Sequence, residues 1–310
     1  MMIRKSLAAA VCLTLAGAGG APAADARQKA AAPLAPAALP DWSGLWEVEA
    51  TKPDATGGFE HSLEEVMAGM RKWGPPPYKD SVQPLVDTVR AFDDKRAQDG
   101  DNAGPQGVMT GTCTFGFPSI MLGSPLMFEV LPTAKETALI FSGREVRHVY
   151  TDGRPHTSKE DLWPTYWGDS VGRWEGQTLV IDTIDVQSAL VPAEIPMNLV
   201  VAMGGTSTSG RAVAYLSRKA HFVERLRMVG GRLENQMTIT DPVMFSKPWH
   251  VTRTYSRVTR IHRMVYEDCS GTDRNPIVNG QFTLTTTPPA PPPIPPEIAP
   301  FMKLLVDAAQ

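Results

Sequence analysis

The chain has 310 residues, ample for a sizeable core and long for one compact domain. Its 30 basic residues against 33 acidic ones give a formal charge of −3, and this mildly acidic balance argues against nucleic acid or anionic lipid as the main partner. No apolar run approaches bilayer length, so no membrane span is expected.

At the N-terminus Arg4 and Lys5 precede an apolar run from Leu7 to Ala18, and small residues follow, with Ala-Pro-Ala at Ala21 to Ala23. This is the pattern of a cleavable secretory signal peptide over residues 1–23. Cys12 does not read as a lipid anchor, because it lies inside the apolar run and follows Val11, where a lipoprotein signal needs a small residue. Export to the periplasm or medium is therefore expected. Losing Arg4 and Lys5 would move the formal charge from −3 to −5. It would also leave two cysteines, Cys113 and Cys269, in a compartment where a disulfide between them is favoured. They have no CxxC spacing and there are no clustered histidines, so no metal site is expected. No phosphate loop, dinucleotide fingerprint or haem-attachment motif occurs, so no cofactor is expected either.

Residues 24–40 are rich in Ala and Pro and read as a linker. A main domain is expected over 41–275. Gly44-Leu45-Trp46 opens a strand over Leu45 to Ala50. A helical insertion follows over 62–100: Ser62 and Glu65 form a capping box ahead of Leu63, Val66, Met67 and Met70. A second helix from about Ser81 has Pro84 in its first turn. These two accessory helices read as packing elements.

From Leu126 the hydrophobic period changes to two. Candidate strands are Met127–Leu131, Ala138–Phe141, Glu145–Tyr150, Thr178–Ile184, Ala220–Met228, Leu233–Thr240 and Trp249–Val258, with turns at Asp152-Gly153 and Gly230-Gly231. With the first strand they make about eight, and short consecutive strands joined by tight turns predict a mainly β fold, an antiparallel β-barrel. Such a barrel is either filled by side chains or holds one small ligand. Residues 276–310 form a Pro-rich C-terminal tail expected to lie outside the core, with polyproline II from Pro288 to Pro300 and a short apolar end at Phe301 to Val306 for which packing back on the domain is the alternative.

Gly44-Leu45-Trp46 resembles the opening motif of lipocalins, in which the tryptophan plugs the closed end of a calycin-like barrel. The central segment carries a more specific likeness. Asp152-Gly-Arg-Pro-His156, Pro164-Thr165, Gly168 to Gly176 and Thr178-Leu-Val-Ile-Asp-Thr183 resemble a family of uncharacterised exported bacterial proteins, whose signature is a Gly-Arg-Trp-Glu-Gly turn leading into a Thr-Leu-Val-x-Asp-Thr strand. The likeness extends to His221, Glu224-Arg225, Thr238 to Pro242, Lys247-Pro-Trp249 and Glu267-Asp-Cys269. It implies a β-barrel-like exported domain and no assigned chemistry. The stretch from Ser188 to Gly210 is more apolar than that family's pattern, which would suit an apolar ligand if it caps the mouth.

Gly168-Asp-Ser-Val-Gly172 fits the GxSxG expression for a hydrolase nucleophile, but no strand-turn-helix context surrounds it, so Ser170 reads as a turn residue. In Ala220 to Met228 strand parity puts Glu224 on the apolar face with Phe222 and Leu226, and His221 on the other. A buried Glu224 either pairs with an arginine or has a raised pKa suited to acid–base work. Asp182 also reads as buried and arginine-paired, with Arg173, Arg225 and Arg253 available. His148 and His250 read as lone structural residues, and His156 as a solvated turn residue.

Two functions follow as expectations. The first is an exported barrel that binds a small apolar or aromatic molecule in its interior, with Trp46, Tyr150, Trp167, Arg173, Trp174 and Arg225 as candidate ligand residues. The alternative is a cofactor-independent isomerase or hydratase/dehydratase using Glu224, Asp169 and His221 as candidate catalytic residues.

Overall fold

A computed structural model describes residues 39–48, 72–98, 116–122, 127–142, 145–187, 197–201, 212–264, 277–278, 281–282 and 294–309. Residues 1–23, expected as a signal peptide, most of the expected linker, the expected capping box at Ser62, and both Cys113 and Cys269 lie outside them.

Nine strands form one sheet that closes on itself: β1 (Leu45–Val48), β2 (Phe128–Pro132), β3 (Glu136–Phe141), β4 (Val146–Tyr150), β5 (Asp169–Glu175), β6 (Thr178–Ile184), β9 (His221–Val229), β10 (Arg232–Thr240) and β11 (Trp249–Arg257). The order is β1-β11-β10-β9-β6-β5-β4-β3-β2, and β1 pairs with β2 to complete the ring. Two short hairpins stand apart, β7 (Met197–Val201) with β8 (Ala212–Ser217) and β12 (Ile277–Val278) with β13 (Gln281–Phe282).

The antiparallel eight-strand expectation is thus corrected to a mixed nine-strand sheet. The difference is β5, whose Asp-Ser-Val-Gly-Arg-Trp-Glu sequence lacks a β-branched run and contains a glycine. It pairs antiparallel with β6 along its whole length and parallel with β4 at Tyr150 and Val171, and the long crossover from residue 151 to residue 168 permits that parallel pairing. At Gly172 a β-carbon would come within 2.8 Å of the Val149 side chain, so glycine is what lets the chain pass there.

Gly230 and Gly231, both at positive φ, close β9 on β10 in the two-residue turn expected of them. That end of the ring also holds the β5–β6 turn and a tryptophan group: the Trp42 and Trp174 rings lie 5.1 Å apart, and Trp46 Nε1 donates to the Trp42 carbonyl at 3.0 Å.

The β10–β11 connection, 241–248, lies at the opposite end. There Asp241 accepts hydrogen bonds from Ser217 N and Oγ and from the Val243 and Met244 amides, tying this connection to the end of β8. Helix α1 (Gln83–Gln98) buries Val86 and Val89, with Val82 buried just ahead of it, and α3 (Ala299–Ala309) lies against α1 and β8. The short α2 (Ser119–Leu122) is wholly buried. The C-terminal apolar segment is thus core: Phe301, Met302 and Leu305 are buried, with the Phe301 ring 5.8 Å from Tyr215. Pro300 sits in the first turn of α3, where its missing N–H costs no hydrogen bond.

Candidate functional site

Two polar clusters stand out, one inside the closed sheet and one on its outer face. The interior cluster follows from alternation: Glu224 points inward with Phe222 and Leu226, as strand parity predicts, and is fully buried. Its partner is Arg147 on β4, also fully buried, whose Nη2 donates to Glu224 Oε1 at 2.6 Å. The other carboxylate oxygen accepts from Asn235 Nδ2 at 2.7 Å. Arg147 Nη2 also reaches Thr183 Oγ1 at 2.9 Å and Ser170 Oγ at 3.4 Å, and those two hydroxyls are 2.9 Å apart. Ser170 is therefore a buried strand residue serving a guanidinium, neither a nucleophile nor a turn serine.

Aromatic rings enclose this network. The Arg147 guanidinium lies 4.1 Å from the centre of Phe117, which meets Phe222 edge-on at 4.9 Å, while Phe128 meets Tyr255 at 4.9 Å. The segment 116–122 enters from the helical end, and its backbone is received from within: Tyr255 Oη donates to the Met121 carbonyl at 2.5 Å and Arg253 Nε to the Leu122 carbonyl at 2.7 Å. Burial holds the Tyr255 hydroxyl above its usual range, so it stays neutral, and draws Arg253 down.

Not every interior polar atom is served. Arg147 Nε and Nη1, Asn235 Oδ1, Thr137 Oγ1 and Thr151 Oγ1 are buried without a hydrogen-bond partner among the described residues. Such atoms are costly unless something answers them.

The outer cluster joins His156 and Asp169 with Asp182 and His221. His156, from the β4–β5 crossover, has Nδ1 2.8 Å from Asp169 Oδ2 and Nε2 3.1 Å from Asp182 Oδ1. His221 Nε2 lies 2.6 Å from that same Asp182 oxygen, and the Thr157 amide donates to Asp169 Oδ2 at 2.8 Å. The two histidines hold the Asp182 carboxyl well below the usual carboxylate range against the opposing effect of burial, and the hydrogen bonds to Asp182 and Asp169 raise His156.

Two expectations are corrected here. Asp182 is neither fully buried nor arginine-paired: its side chain is 35 % exposed and its partners are histidines. His156 is not a solvated turn residue, being only 25 % exposed between two carboxylates. The physical reason is that the outer face near Val180 is apolar although it lies outside. Arg173 and Arg225 flank Val180 in register and share Glu175 as counter-ion, so their stems cover it.

The candidate residues therefore separate. Asp169 and His221 share the outer cluster while Glu224 lies inside, so the three catalytic candidates do not meet. Of the ligand candidates, Trp46 and Trp174 belong to the tryptophan group, and the Arg257 guanidinium covers the Trp46 ring at 4.5 Å. Trp167 stacks on Phe141 at 5.3 Å near the helical end. Tyr150, Arg173 and Arg225 face outward, where Tyr150 lies between His148 and Arg154. Sequence reasoning missed Arg147 and Asn235, although Arg147 alternates with His148 and shares its face with Val149. Sought among known proteins, the chain matches no family model, no curated protein and no solved structure.

Proposed function

We propose that this chain is an exported, lipocalin-like protein that holds a small, largely aromatic or apolar molecule inside its closed sheet, with a polar head seated by Arg147 and Asn235. The observation that carries this reading is the set of buried, unanswered atoms, Arg147 Nε and Nη1 and Asn235 Oδ1, within a shell of Phe117, Phe128, Phe222 and Tyr255. Two donors and one acceptor suit a carboxylic acid or an amide. Gly44-Leu45-Trp46 at the opening of the first strand supports the lipocalin likeness, and the pattern of residues 1–23 supports export to the periplasm or medium.

The test is calorimetric and tryptophan-fluorescence titration with aromatic and terpenoid acids and amides, each beside its matched hydrocarbon. Acids or amides are expected to bind about tenfold or more tighter than the hydrocarbons, the worth of one hydrogen bond to a charged donor. If a well-folded protein binds none of them, water serves these atoms and the reading fails.

A second reading, a cofactor-independent acid–base enzyme, has one observation in its favour: His221 is 41 % exposed and oriented by Asp182, as a general base would be. Its site would be the outer cluster, not Glu224. It predicts solvent deuterium incorporation into a panel of hydroxy and keto acids that His221→Gln abolishes.

A further inference from the structure

We propose that residues 152–163, crossing from β4 toward β5, are fastened to the outer face of the sheet by a doubly protonated His156 between Asp169 and Asp182, and that losing one proton releases them. The geometry requires the charge. Both ring nitrogens face carboxylate oxygens, at 2.8 Å and 3.1 Å. A neutral imidazole has one N–H and one lone pair, so one contact would become repulsive, and only the imidazolium donates to both.

The other ties of this segment involve no histidine. The Thr157 amide donates to Asp169, and Arg154, paired with Asp152, lies 4.0 Å from the Tyr150 ring centre. The Ser158–Asp161 hydrogen bond stays within the segment. The charged groups facing His156 are Asp169 from β5 and Asp182 from β6, with His221 of β9 behind Asp182. The crossover itself adds the Arg154–Asp152 pair.

The two carboxylates raise His156 above its ordinary 6.5. A group raised by folding stabilises fully below its unfolded value, and that stabilisation is lost as pH rises through the folded one. The segment is therefore closed in mild acid and opens above neutrality. This does not depend on what the interior holds.

The test is hydrogen–deuterium exchange of the intact chain with EDTA throughout, from about pH 5.5 to about pH 9, corrected for the intrinsic rate. Peptides within 152–163 are expected to lose about tenfold protection in a single one-proton step above pH 6.5 while β9–β10 peptides keep theirs. His156→Gln removes the step, and His221→Gln retains it. In Asp169→Asn, which lacks one carboxylate, the step moves down by about one pH unit. The proposal is overturned by pH-independent protection in the native chain, by a step that survives His156→Gln, or by one that only His221→Gln removes. If His156→Gln also exposes β9–β10, Asp169→Asn decides, and an unmoved step in it overturns the proposal.

Discussion

Glu224 and Arg147 show how a buried charge is made tolerable. Each carboxylate oxygen has a donor and one guanidinium nitrogen has the carboxylate, so the two charges offset each other locally, whereas removing one partner leaves the other charge buried and uncompensated. Glu224→Gln is expected to lower stability by about 3–5 kcal/mol in urea unfolding, since Arg147 stays buried and charged. The double variant Arg147→Met with Glu224→Leu should recover more than half of that loss, and a double variant as unstable as the single one would contradict this account. Backbone strain is equally local. Gly168 is at φ +66°, and a β-carbon there would sit 2.5 Å from the Ile184 carbonyl, whereas Gly176 at φ +61° faces open space. Gly176→Ala should cost about 1 kcal/mol, the left-handed penalty alone, and Gly168→Ala about 2 kcal/mol or more; equal thermal shifts would refute the distinction.

Among the elements, α3 is the one whose packing was hardest to expect from its surroundings, because it follows a proline-rich run. Its Phe301, Met302 and Leu305 bury against the helical end of the fold, and burying side chains of this size stabilises by about 1.5–3 kcal/mol each. Truncation after Ile298 is expected to cost about 5 kcal/mol and to expose Tyr215, seen as a lower urea midpoint and new binding of an apolar dye. An unchanged midpoint would mean that α3 is dispensable. Strands β9 and β10 were legible because alternation and the Gly230-Gly231 turn agree along their lengths, β11 by alternation, and β6 as a run of β-branched and apolar residues. β5 was not, because it is polar by composition and its pairing with β4 depends on a crossover that no local pattern signals. Of the hairpin β7–β8, β7 lies within the apolar stretch from Ser188 to Gly210 and β8 just beyond it, and neither is among the strands expected from the sequence.

For the whole molecule, the outer cluster sets a pH window. Asp182 is held below its ordinary value of 3.8, so its contribution is present above that value and lost as pH falls through the depressed one. His156, held above 6.5, contributes below that value and loses its contribution as pH rises. Stability measured against pH should therefore be highest between these limits, and Asp182→Asn should flatten both flanks; a profile identical to that of the native chain would remove the cluster from the account. The amino-acid sequence by itself determined the β character, the inward side of β9, the turn at Gly230-Gly231 and the pattern of the N-terminal segment, because these rest on period, glycine and composition within a few neighbouring residues, whereas Asp152-Gly153, read as a hairpin turn, opens the crossover to a parallel neighbour. Only the tertiary structure decided that Arg147 meets Glu224 across 77 positions and that His156 reaches Asp182 across 26. It also decided that the C-terminal helix is core. Those pairings depend on which strands become neighbours when the sheet closes, and β4, Val-Arg-His-Val-Tyr, carries apolar residues on both faces and so does not declare which side is in.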